Sequence, residues 1–158
     1  GPIVREAQES MAGGVSLSCM YITWETYQCG NVLSLIVSCG WGFDMNTHSV
    51  YLYDTATGEQ MTTAQLLETL QVEPETFLAA VRQAAAERFD GKYAGIGGDT
   101  DELVAERRAW TLSDENINLD VMTYADAAGN LYVYLTIWSI AGAASYEEPL
   151  TLDLGAAG

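Results

Sequence analysis

The stretch VSLSCMYITWETYQCGNVLSLIVSCGWGF, residues 15–43, decides the fold. It contains two apolar, β-branched and aromatic runs that alternate with period two, separated by Gln28-Cys29-Gly30. Alternation of this kind marks strands, and a glycine between two such runs marks a hairpin. A three-residue loop with Gly30 at its left-handed position pairs Tyr27 with Asn31 and sets Cys19 opposite Cys39, with Cys29 at the tip. Val15, Leu17, Cys19 and Tyr21 then share a face with Leu33, Leu35, Val37, Cys39, Trp41 and Phe43. Trp24 points to the other side. A two-residue Gly30-Asn31 turn would slip the register by one and set apolar faces against polar ones, so the three-residue loop is expected. Opposed Cys19 and Cys39 allow a disulfide without requiring one.

Outward from this hairpin, Gly1–Gly14 read as a lead-in that Gly13-Gly14 ends. His48 to Asp54 forms a third strand. The polar turn Asp54-Thr55-Ala56-Thr57-Gly58-Glu59 follows. Thr62-Thr63-Ala64-Gln65 has capping-box spacing and opens a short helix to about Leu70. Pro74 sits in the first turn of a longer helix, where Phe77, Leu78, Val81, Ala85 and Phe89 recur at helical spacing until Asp90-Gly91. Leu103 to Arg108 reads as a helical turn. Asn116 to Tyr124 and Leu131 to Ile140 close the sheet around Asp126-Ala127-Ala128-Gly129-Asn130, and Leu150 to Leu154 adds a short edge strand. The expected architecture is a single α+β domain over residues 15–154: an antiparallel sheet of hairpins with a two-helix insert packed on one face. Tyr132, Tyr134 and Trp138 share one side of the last long strand, with Val133, Leu135 and Ile137 on the other, so both sides are expected to be covered.

Composition narrows the function. The 158 residues are 49% hydrophobic and 18% charged, which is a globular and not a disordered balance. No apolar run approaches the ~20 residues that span a bilayer, so this segment is not expected to insert into a membrane. Six Lys and Arg against 22 Asp and Glu give a net charge of -16. That field repels nucleic acid and anionic lipid surfaces and attracts cationic partners. Three cysteines, one histidine and no C-x-x-C argue against a structural zinc site, and no cofactor is expected. His48, beside a turn, reads as a surface residue and not a general base. Asp99-x-Asp101-Glu102 lacks the ligand spacing of a calcium loop and reads as an acidic loop. Gly95-Ile96-Gly97-Gly98 lacks the lysine of a phosphate cradle. A carboxylate pair acting on glycans is an alternative, but Glu59, Glu68, Glu73, Glu75 and Glu87 fall on turns and helix faces, where charge is solvated.

Asn31-Val32-Leu33-Ser34-Leu35 resembles an "n-x-L-S-L" strand of a recurrent bacterial extracytoplasmic domain. Tyr53 to Thr62 with Leu66-Leu67 resembles its "x-D-x-x-T-G-x-x-hydrophobic-T-x-x-x-L" passage. The domain occurs in RsiV-type, lysozyme-sensing anti-sigma factors and beside the catalytic domain of PdaC-type deacetylases. The resemblance covers residues 31–140. Relatives often carry a Gly-Gly-Ala-His-like segment where this chain has Gly40-Trp41-Gly42-Phe43-Asp44, with His48 displaced. The resemblance implies an α+β fold, a place outside the cytoplasmic membrane (secreted, or anchored through a segment not in this chain) and no catalytic residues. It also implies a cationic protein partner, with lysozyme the first candidate, or a cell-wall component. The residues expected to bind are Trp41, Phe43 and Asp44 in one turn and Tyr146, Glu147 and Glu148 in one loop, because each puts an aromatic ring beside carboxylates. The expected function is therefore an extracytoplasmic ligand-binding or sensor domain. The alternatives are a glycan-active enzyme or a purely structural envelope module.

Overall fold

A computed structural model describes residues 20–41, 46–141 and 145–155. Its α+β architecture has two antiparallel sheets and three helices among the described residues. Strands β1 (Tyr21–Cys29), β2 (Val32–Gly40), β3 (Asn46–Asp54) and β4 (Gln60–Met61) make the first sheet in sequential order. Helices α1 (Thr63–Thr69), α2 (Pro74–Lys92) and α3 (Asp101–Thr111) follow. Strands β5 (Met122–Ala125), β6 (Leu131–Trp138) and β7 (Ser145–Thr151) make the second sheet. The hairpins thus divide between two sheets, and the expected pair of helices is three.

The first hairpin corrects the expected register. Cys29 pairs with Val32 and Ile22 with Cys39, so Gly30 and Asn31 alone form the turn. Gly30 has φ +56° at the first central position, as a type II′ turn requires. Apolar matching does not set this register, because β1 is exposed over most of its length and has little burial to lose by slipping. The Cys19 half of that expectation lies outside the described residues. Cys39 is fully buried and disulfide-bonded, while Cys29 is a free thiol.

The slip exchanges the faces of β2. Val32, Ser34 and Ile36 turn inward, and Leu33, Leu35 and Val37 turn outward, half-buried. The inward face meets the second sheet. The Ser34 hydroxyl donates to the Ala125 carbonyl (3.2 Å) and accepts from its N–H (3.3 Å), so a buried side chain joins β2 to β5 as another strand would. A parallel ring stack continues the seam. Tyr27 lies 5.7 Å from Tyr124, Tyr124 lies 5.0 Å from Tyr132, and Tyr134 lies 4.0 Å from His48. Both sides of β6 are therefore covered, one of them by the first sheet.

The helices pack against the second sheet, with α2 meeting β6 and β7 and α3 meeting β6. Thr62 and Gln65 form the expected capping box: the Thr62 hydroxyl accepts from the Gln65 backbone N–H, and the Gln65 side-chain oxygen accepts from the Thr62 backbone N–H. Phe77, Val81, Ala85 and Phe89 are fully buried along α2, which runs two residues beyond Asp90. Asp101 and Glu102 open α3, where acidic side chains suit the positive end of the helix dipole, so this acidic segment is helical and not a loop. Arg108 of α3 grips Asp90 of α2 with two nitrogens at 2.7 and 2.9 Å. That fork holds the Asp90 carboxyl below the usual carboxylate range.

Two strands differ from expectation at their ends. Residues 116–121 are turns, because Asn118 binds its neighbours' backbone: its amide donates to the carbonyls of Asp114 and Glu115, and its carbonyl accepts from Asp120 N–H. As a result β5 stops short, and past Tyr134 β6 is paired with β7 on one side while its β5 side has no strand partner among the described residues. Side chains complete that free edge. Asn116 donates to the carbonyls of Thr111 (2.8 Å) and Thr136 (2.9 Å), and the Thr111 hydroxyl accepts from Trp138 N–H (3.1 Å). Asn116→Ala is expected to cost about 1–3 kcal/mol in a urea titration, because it leaves two partly buried carbonyls unpaired. An unchanged midpoint would show that water replaces the amide.

Candidate functional site

Residues paired across a sheet point to the same side. Trp24 opposes Val37, and Leu35 opposes both Thr26 and Tyr51, so these side chains share the outer face of the first sheet. Trp24 therefore lies on the Leu33/Leu35 side, contrary to expectation, because the register moved by an odd number of residues, with Ile22 where Cys19 was expected opposite Cys39. The buried core lies on the other side of this sheet, with Val32, Ile36 and Leu52, and among the described residues no helix packs extensively on this face. Trp24 is 71% exposed and Ile22 42%, with Met20 and Tyr21 exposed beside them. Large side chains left in water together on one strand are the signature of an interaction surface. β1 is also an edge strand: among the described residues nothing pairs with its far side. At the end of the sheet the Tyr21 ring lies across Gly40, where a Cβ would come within 2.4 Å of ring carbons, and the Tyr21 hydroxyl donates to Asn46 (3.1 Å).

Trp41 continues this surface. It follows β2 directly, is half-buried, and its indole N–H donates to the Thr47 hydroxyl (2.9 Å). Phe43 and Asp44 lie outside the described residues. Tyr146, Glu147 and Glu148 belong to strand β7 and not to a loop, a correction that follows from pairing with β6 from Trp138–Ser145 to Tyr132–Thr151. Pro149 is tolerated there because β7 is an edge strand. Trp41 and Glu147 are each tied to β3, at the consecutive residues Thr47 and His48, which point to opposite faces of the sheet. Glu147 accepts from the His48 backbone N–H (2.9 Å) and meets its Nδ1 (3.1 Å), next to the Thr47 that holds Trp41. This tie across the two sheets was not legible from sequence, which placed His48 at the surface. Glu148 is gripped by Arg88 and Lys92, each at 2.7 Å, and the Lys92 ammonium lies 5.3 Å from the Tyr146 ring. Its charge is neutralised within the fold, which leaves Tyr146, 40% exposed, as the accessible member of the trio.

Beneath His48 the tyrosine stack is chemically unusual. Burial, then the neighbouring phenols of Tyr134, Tyr27 and Tyr132 and the Glu25 carboxylate, push the Tyr124 phenol well above its ordinary range. Burial and Glu25 push Tyr134 up as well. Tyr132 is raised because its hydroxyl donates to Asp126 (2.9 Å). The same Asp126 carboxylate accepts from the Asn130 side chain and from the backbone of Asn130 and Ala128, contacts that lower its own pKa. These phenols are held as neutral, proton-bearing groups.

Charge around the site is set by a shortage of cations. Arg82 binds Asp114, Arg88 and Lys92 share Glu148, and Arg108 binds Asp90. Six Lys and Arg face 22 acidic residues in the chain, so carboxylates far outnumber the cations that could pair with them. Among the described residues no group of three or more His, Cys, Asp or Glu is placed to hold a metal ion, and no helix is long and apolar enough to cross a membrane. The arrangement offers an apolar, aromatic sheet face within a negative field. No family model and no curated protein matches the chain.

Proposed function

We propose that this chain is an extracytoplasmic ligand-binding domain of a bacterial cell-envelope protein, and that it holds a cationic protein on the outer face of its first sheet. The observation that carries this reading is Trp24, 71% exposed beside Ile22 on an open edge strand, in a chain of net charge -16. An exposed tryptophan supplies the apolar anchor of an interface, and the surrounding carboxylates steer a basic partner towards it. The disulfide at Cys39 supports an oxidising compartment. The strand, turn and capped helix that resemble the lysozyme-sensing domains are β2, the Asp54–Glu59 turn and α1, in that order along the chain. Lysozyme, a small and strongly basic protein, is the first partner to test.

Surface binding with lysozyme at low and at physiological salt tests the reading. The on-rate is expected to fall with added salt while the off-rate changes less. Trp24→Ala is expected to weaken binding by about 2 kcal/mol or more, as loss of a central aromatic anchor does. Absence of binding at both salts would remove lysozyme as the ligand. Binding that survives Trp24→Ala undiminished would move the site off this face.

A further inference from the structure

We propose a second binding site, for a neutral saccharide, in the cleft lined by Trp110 and Trp138 at the edge of β6 that β5 leaves open. The cleft, about 590 Å³, opens where β5 stops and the end of α3 takes its place beside β6. Two indoles, 5.3 Å apart and 77° between planes, form its walls at a corner. Trp110 is 39% exposed, so burial in the core does not account for its position.

The polar atoms around the corner are available and held in place. Among the described residues neither indole N–H has an acceptor, and the Thr136 hydroxyl has no partner. Asn116 spends both amide hydrogens on backbone carbonyls, which fixes its side-chain oxygen as an acceptor with nothing bound. Ser113 donates to the Trp110 carbonyl (2.9 Å), which leaves its lone pairs free, and the Glu115 carboxylate is exposed and has no cationic partner among the described residues. The site combines flat apolar walls with a rim of fixed donors and acceptors, the mixture that positions a small ligand.

The lining selects the ligand class. An anionic ligand meets Glu115 and the acidic field of the whole chain. A purely apolar ligand would strand the indole N–H groups and the Asn116 oxygen without partners. A cationic head would compete with Arg107, whose guanidinium already lies 4.1 Å from the Trp110 ring centre. A sugar ring satisfies both parts of the lining. Its C–H face lies on an indole, and its hydroxyls reach the indole N–H groups, Thr136 and Asn116.

The test is titration of the full ¹⁵N-labelled chain with neutral trisaccharides of glucose, N-acetylglucosamine and mannose, and separately with choline. The four tryptophans provide four indole N–H signals, assigned by single Trp→Phe variants. The Trp110 and Trp138 signals are expected to shift saturably with at least one sugar while the Trp24 signal stays still. Trp110→Ala is expected to weaken that binding about tenfold or more. Thr136→Val, which keeps both walls and removes one hydroxyl, is expected to weaken it less, and it serves as the variant should Trp110→Ala fail to fold. Three results would overturn the proposal: no saturable shift with any sugar at millimolar concentration, shifts with choline alone, or a Trp24 signal that moves as far as those of the cleft.

Discussion

Phe77→Ala is expected to lower the unfolding free energy by about 3–5 kcal/mol, the cost of emptying a fully buried aromatic site. Phe77 is 0% exposed on the first turn of α2, in one core with Leu66 and Leu67 of α1 and Val133, Leu135 and Ile137 of β6. Phe77 sits on the helix that packs on β6, so its truncation leaves a void inside a packed core. Globular domains hold only about 5–15 kcal/mol in total, so this one truncation should consume a large part of the stability. The measurement is urea denaturation followed by circular dichroism. A clear fall in midpoint with an unchanged slope is the expected outcome. Leu78→Ala, at the half-buried neighbouring position, should cost less. If the Phe77 variant unfolds at the wild-type midpoint, the packing of α2 on the sheet is wrong.

Alkali is expected to unfold the protein through its tyrosine seam. Tyr124, Tyr134 and Tyr132 all have phenol pKa values raised in the folded state, the first two by burial and the third by its bond to Asp126. A raised phenol pKa means that the native state keeps a proton which the unfolded chain has already released. The associated stability is fully present below the unfolded value, near pH ~10, and is lost as pH climbs from there through the folded values. Denaturation midpoints should therefore hold up to about pH 9.5 and fall steeply above it. Phenolate absorbance should show a group of tyrosines that ionises only as the fold is lost. Tyr124→Phe removes the most strongly shifted phenol and keeps the ring stack, so its midpoints should fall less steeply over the same range. Parallel curves for wild type and variant would show that general charge repulsion, and not this seam, drives the alkaline transition.

The parts of the fold written in local chemistry were legible in the sequence. The capping box at Thr62–Gln65, the Pro74 start of α2 and its 77/81/85/89 stripe, and the Asp126–Asn130 turn all depend on residues within a few positions of one another. Such features survive any arrangement of the remaining chain. Strand limits were less legible, because they depend on what pairs with what. Residues 116–121 have strand-like composition, yet Asn118 binds the adjacent backbone and ends the ladder. Tyr146 to Glu148 looks like a loop, yet β6 offers it an unpaired edge.

By itself the sequence determined the α+β class, the acidity, the order of hairpins and helices, and the turns at Asp54–Glu59 and Asp126–Asn130. Only the tertiary structure decided the register of the first hairpin and, with it, which face of that sheet is open. Hydrophobic matching sets a register where burial is at stake. β1 is an exposed edge strand, so Gly30 and its two-residue turn prevailed, and Trp24 came to the same side as Val37. The meeting of His48 with Glu147 likewise spans 99 residues, and that of Trp110 with Trp138 joins a helix to a strand. No periodicity records such pairs, because the contact belongs to the packing of two elements and not to the pattern of either one.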